Sequence, residues 1–165
     1  MPPTQVRPKN LAGYLDSMTM RVFEAGMSWK VVEAKWSGIQ EAFHGFDPEW
    51  VADMSPSDVD HLDNDPRVIR NRRKIEATVA NARTMLDLDS THRGFRRYLR
   101  SFPDYDALSK DLQRQYHFLG ESGVYNFLWS VDEDVPPNQE WAATHLTRRR
   151  SGRGGSPASP TGPRT

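Results

Sequence analysis

Apolar residues recur at helical spacing along most of this chain. From Asn10, a residue suited to capping, Leu11, Tyr14, Leu15, Met18 and Val22 fall at i, i+3, i+4, i+7 and i+11, which places them on one face of a helix. Gly26 interrupts the pattern. A second helix is predicted to carry Val31, Val32, Ala34, Ile39 and Phe43 as far as the Phe46-Asp47-Pro48 turn. Ser55-Pro56-Ser57-Asp58 is a start signal, with a serine cap, proline at the first helical position and a carboxylate at the third. Asp65-Pro66 repeats that signal and predicts a long helix with Val68, Ile69, Ile75, Val79, Ala82 and Leu86 on its buried side. Residues 93–100 are basic and aromatic, and Asp104 to Leu112 reads as helix. Two glycines in Leu119-Gly120-Glu121-Ser122-Gly123 then make a tight connection to an apolar helical run from Val124 to Val131, a compact hairpin of helices. No stretch alternates with period two, so strands are not expected and the fold class is all-α.

Composition narrows the organisation. A chain of 165 residues supports one domain with a real core. The expected division is a flexible lead over 1–9, a domain over 10–147 and a disordered basic tail over 148–165, where Gly, Ser, Pro and Arg cannot bury enough surface to offset ordering entropy. Mean hydropathy is −0.76, no apolar run reaches the roughly 18–20 residues of a membrane span, and the N-terminus lacks a signal-peptide layout. A cytoplasmic location without membrane association is expected. With no cysteine and five scattered histidines, neither a metal nor another cofactor is expected. The zero net charge is uneven: setting aside five arginines in 148–165 leaves 17 basic against 22 acidic residues, so attraction to a polyanion would have to come from local patches.

The segment Phe23-Glu24-Ala25-Gly26-Met27-Ser28-Trp29 holds the most chemistry. A glycine beside an apolar residue, a hydroxyl and a tryptophan suits a loop that sets a wedge and an aromatic face against something flat, such as a nucleobase. Together with Phe43-His44-Gly45-Phe46-Asp47-Pro48, with Val68 to Ile75 continuing through Asn81-Ala82-Arg83, and with Ala107 to Leu112 followed by Phe118-Leu119-Gly120 and Tyr125-Asn126-Phe127, it resembles the DNA-3-methyladenine glycosylase I family of the helix-hairpin-helix superfamily. The matches span roughly residues 20–131 in the family's order. The resemblance implies a monofunctional hydrolase of base-excision repair, a monomer that flips an alkylated purine such as 3-methyladenine out of duplex DNA and cleaves its N-glycosidic bond. Two departures stand out. The family's N-terminal segment with cysteine, histidine and a base-contacting tyrosine, and its C-terminal zinc ligands, have no counterpart here; and where the family places a base-contacting glutamate, four residues before the alanine of the loop, this chain has Arg21.

Each candidate carries two readings. Trp29 is a stacking face for a flipped, cationic base, or one of five tryptophans that fill the core. Met27 is a wedge for the vacated stack or ordinary packing at a helix start, and Gly26 and Ser28 complete the loop that approaches DNA. Glu24 is the best remaining catalytic carboxylate, or a solvated group at a helix end. Arg21 lines the base pocket, reaches a phosphate or pairs with Glu24 at i+3. In the basic run, Arg70, Arg73 and Lys74 are the candidates for phosphate contact, against a merely solvated helix face. Leu119, Gly120, Ser122 and Gly123 would hold the DNA backbone through main-chain N–H groups at a helix N-terminus. Asp132-Glu133-Asp134 is a remote substitute for the catalytic acid. The competing function is a catalytically silent protein on the same scaffold that binds damaged DNA or a protein partner.

Overall fold

A computed structural model of the protein describes residues 5–136; the tail over 148–165 and the last part of the expected domain lie outside that range. The described residues form eight α-helices and no strand: α1 (Leu11–Glu24), α2 (Trp29–Ala42), α3 (Pro48–Ala52), α4 (Pro56–Asp63), α5 (Arg72–His92), α6 (Phe95–Leu99), α7 (Tyr105–Gln115) and α8 (Glu121–Ser130). Caps fix most starts. Asn10, Ser28 and Asp104 accept backbone N–H groups at the heads of α1, α2 and α7, and Ser55 with Asp58 closes a reciprocal capping box on α4.

The long helix departs from expectation, since α5 opens at Arg72, capped by Asn71, rather than at Asp65-Pro66. The Asp65 carboxylate instead accepts the Arg67 N–H at 2.8 Å and its guanidinium at 2.7 Å, which closes a turn where a helix would have begun. Val68 and Ile69 are buried as their spacing requires, but on an irregular segment.

Helix α5 is the pillar of the fold, and α1, α3, α4 and α6 pack on it, while α8 packs on α1 and α7. Its apolar side meets a core that includes Leu15, Met18, Phe23, Met85, Leu112 and Phe127, all fully buried. Its buried side also carries a polar row, Lys74, Thr78 and Asn81, at i, i+4 and i+7. The Asn81 amide clamps the turn before α8 from both sides, accepting the His117 N–H at 2.9 Å and donating to the His117 carbonyl at 3.2 Å. Asp16 joins α1 to α2 by accepting from Trp36 Nε1 at 3.1 Å and from Gln40 at 2.6 Å.

Two further segments differ from the sequence reading. Residues 5–8, expected as free lead, dock on the end of α8: Val6 N–H donates to the Ser130 carbonyl at 2.8 Å and Arg7 pairs with Asp132 at 3.0 Å. Glu133 is buried between Arg96 and Arg100, at 3.5 and 3.0 Å, so it serves as a structural counter-ion and not as a spare catalytic acid.

Two outcomes are expected. Asn81→Ala should lower stability by about 1–3 kcal/mol, read as a reduced urea midpoint at unchanged m, because it strips both partners from the turn. Tyr98, which donates to Asp111 at 2.5 Å, and Tyr116 are held far above the ordinary phenol range, chiefly by burial. Both stay protonated in the fold while the unfolded chain ionises near pH 10, so stability should fall as pH rises past about 10, by roughly 1.4 kcal/mol per tyrosine per pH unit in urea titrations.

Candidate functional site

The loop between α1 and α2 is built by its glycine. Gly26 has φ +72°, a left-handed conformation that lets the chain reverse within three residues, and a Cβ there would meet nothing within 4 Å. Ala25 ends α1, Met27 N–H returns to the Glu24 carbonyl at 3.0 Å, and the Ser28 hydroxyl caps α2 by accepting from Lys30 N–H at 3.2 Å. Ser28, expected at DNA, is therefore engaged in forming the helix that presents Trp29.

The loop is held from below by Lys74. Expected to reach a phosphate, this lysine is only 5% exposed, and its ammonium donates to the carbonyls of Phe23 at 2.8 Å and Ala25 at 2.6 Å. These are among the carbonyls a helix leaves unpaired at its C-terminus, where a cation also meets the negative end of the helix dipole. Burial lowers the Lys74 pKa, as expected for an ammonium removed from water and held by neutral carbonyls. The ammonium also lies 5.9 Å from the centre of the Phe118 ring. Lys74 thus touches both the loop and the hairpin turn.

Met27 of the loop, Val31 in the first turn of α2 and Phe118 of the hairpin turn are 37%, 47% and 40% exposed, as is Val6 of the docked lead at 59%. Trp29 is half-buried at the first position of α2, with Lys30 Nζ 5.9 Å from its ring centre. Its ring is not sealed in the core, where Trp36 instead stacks on Phe46. An open groove of about 480 Å³ lies elsewhere, against Asn10, Leu11, Gly45, Asp47, Glu49 and Leu86, and no residue of the loop lines it.

Arg21 and Glu24 meet, as one of the sequence readings had it: Arg21 Nη1 lies 3.3 Å from Glu24 Oε1. The guanidinium is buried in the last turn of α1 while Glu24 keeps some exposure. Burial lowers the Arg21 pKa, and the fields of Glu24 and Asp16 oppose that shift.

Helix α8 starts at Glu121 with Gly120 as a cap that offers no side chain. Gly120 is exposed and Gly123 half-exposed, so main chain is available there, whereas the side chains of Leu119 and Ser122 are buried. Phe118 has φ +58°, an uncommon conformation for an aromatic residue, and it had no assigned role in the sequence. Asn81 was also missed; its signal was a poor helix former among the apolar positions Val79 and Ala82. Arg70 and Arg73 are exposed, Arg70 lying 3.9 Å from Asp63. Among the described residues no three His, Asp or Glu side chains gather as metal ligands, and no helix is long and apolar enough to cross a membrane.

Comparison with known proteins adds ancestry to this geometry. The sequence profile of the methyladenine glycosylase family matches residues 8–118. The DNA-3-methyladenine glycosylase of Haemophilus influenzae is 32% identical over 129 residues, covering 66% of this chain and 70% of that protein. DNA-3-methyladenine glycosylase 1 of Escherichia coli is 32% identical over 126 residues, covering 64% and 67%. Among solved structures, a 3-methyladenine DNA glycosylase I superposes with TM-score 0.67 at 27% identity, covering 76% of this chain and 81% of that one. The Staphylococcus aureus enzyme, solved for its recognition of 3-methyladenine, gives 0.65 at 27% identity, covering 79% and 78%.

Gly26→Ala should cost about 1 kcal/mol through backbone strain alone, measured by urea unfolding, since no neighbour obstructs the new methyl. Lys74→Met should cost about 2–4 kcal/mol and accelerate hydrogen exchange at the Met27 amide, because two buried carbonyls lose their donor.

Proposed function

Because the chain belongs to the methyladenine glycosylase family, we propose that it is a DNA glycosylase of base-excision repair, hydrolysing the N-glycosidic bond of alkylated purines after flipping the base from the duplex. The observation that carries this reading is the Gly26 loop, which leaves Met27 exposed and Trp29 half-exposed and is tied through Lys74 to Phe118 of the hairpin turn. Extruding a base costs a few kcal/mol, least where pairing is already weakened by damage. Stacking on the Trp29 indole returns about 1–3 kcal/mol, and Met27 fills the vacated stack.

The remaining roles follow from position. Main-chain N–H groups at the start of α8 take a phosphate near Gly120 and Gly123, with Glu121 in that first turn weakening the attraction. Arg70 and Arg73 reach neighbouring phosphates from the surface. Lys74 is a positioning residue that acts through the loop. Glu24 supplies negative charge near the sugar, where positive charge develops as the bond to the base breaks. No lysine stands at a position that the family resemblance marks as a Schiff-base nucleophile, so strand cleavage is not expected.

One observation favours a second reading, a silent scaffold that binds damaged DNA: Arg21 neutralises the carboxylate nearest the loop. Duplex DNA methylated with a nitrosourea, which leaves adducts on both ring nitrogens and O6, separates the two. The wild type should release methylated purine, and Trp29→Ala should lower kcat/KM by roughly 5- to 100-fold, the worth of one aromatic stack. Retained binding to the methylated duplex with no base released would favour the silent scaffold. Release indifferent to Trp29→Ala would remove the stacking assignment.

A further inference from the structure

Of the large hydrophobic side chains left exposed among the described residues, Phe118 alone is aromatic. Its backbone is held on both sides. Asn81 grips the N–H and the carbonyl of His117 at 2.9 and 3.2 Å, and the buried Leu119 anchors the next residue in the core. Between these anchors Phe118 takes φ +58°, where a Cβ crowds the backbone and glycine would be at ease. Strain in the main chain and a phenyl ring left partly in water both work against folding. A residue that carries both is kept for contact with something outside the fold.

The surroundings say what that contact is. The Lys74 ammonium lies 5.9 Å from the ring centre and 2.6 Å from the Ala25 carbonyl, so a single buried cation separates Phe118 from the loop that carries Met27. Two residues on, the exposed Gly120 stands at the head of α8, the turn assigned above to a phosphate. A DNA strand that meets both the loop and the head of α8 passes its sugar–phosphate backbone across the ring. Deoxyribose offers an apolar C–H face to an aromatic side chain, and such a contact reads neither base identity nor charge.

We propose that Phe118 packs against the deoxyribose next to the phosphate held at the head of α8. The inference rests on the DNA-binding part of the reading above and adds a residue to it. Unlike Trp29, Phe118 meets no extruded base, so its contact forms on damaged and undamaged duplex alike. Unlike Arg73, it displaces no counter-ion, so its share of the affinity does not vary with salt.

The test measures binding of the full chain, by fluorescence anisotropy over a range of salt, to an undamaged duplex and to one carrying a tetrahydrofuran abasic analogue. Phe118→Ala should weaken both by a similar factor, roughly 5- to 30-fold, with the slope of log K against log salt unchanged. Phe118→Gly suits the left-handed backbone and should weaken both as much, which separates loss of the ring from distortion of the turn. Phe118→Tyr, which keeps the ring, should retain wild-type affinity. Circular dichroism identifies any variant that fails to fold. In single-turnover base release from methylated duplex, Phe118→Ala should raise the half-saturating enzyme concentration by the same factor and leave the saturating rate unchanged, the mark of binding shared by ground and transition state. Affinity unmoved in folded Phe118→Ala and Phe118→Gly, a loss confined to the abasic duplex, a changed salt slope, or Phe118→Tyr as weak as Phe118→Ala would overturn the assignment. Should wild type release no base, the glycosylase reading fails and binding to the two duplexes still decides the role of Phe118. Wild type that binds neither duplex overturns that role as well.

Discussion

The ammonium of Lys74, buried against the carbonyls of Phe23 and Ala25, is the interaction on which the functional face depends. It completes the C-terminus of α1 from outside the helix, and so fixes where the chain leaves α1 and where the Gly26 turn begins. About two turns further along the same face of α5, the Asn81 amide fixes the turn that leads into α8. Both segments of the proposed DNA-facing surface are thus registered against a single rigid helix. The loop and the hairpin turn, distant in sequence, are held in a set relation before any DNA arrives, which reduces the ordering cost of binding.

Much of this was legible in the residues, for reasons that can be named. The starts of α1, α4 and α7 could be read because Asn10, Ser55 and Asp104 are local signals whose partners lie within three residues. The Gly26 loop was legible because a left-handed turn needs a glycine there. Asp65-Pro66 misled because an aspartate before proline serves a helix start and a turn equally well, and Arg67, one residue beyond the proline, decided for the turn. Lys74 misled for a different reason. Charge density along a sequence does not reveal depth, and in a run of arginines nothing local marks the one cation that faces inward, over carbonyls some 50 positions earlier in the chain.

Charge explains the rest of the site better than shape does. Two carboxylates near the C-terminal end of the described residues are paired: Asp132 with Arg7, and Glu133 with Arg96 and Arg100. Under the loop, Glu24 meets Arg21, so the pair there carries no net charge, while the family resemblance implies a carboxylate alone. The chain belongs to the methyladenine glycosylase family, and at position 21, where the resemblance implies a carboxylate, it carries a buried guanidinium paired with Glu24. Fold, loop geometry and family agree with one another, and the chemistry at position 21 is where this chain is its own case.

The most direct measurement is a crystal structure of the chain on a duplex carrying a hydrolysis-resistant alkylated purine on a 2′-fluoro sugar. The account expects the purine out of the stack, parallel to the Trp29 indole at about 3.5 Å, with Lys74 still bound to the Phe23 and Ala25 carbonyls. A base that stays stacked in the duplex, or one that is extruded but lodges away from Trp29, would contradict it.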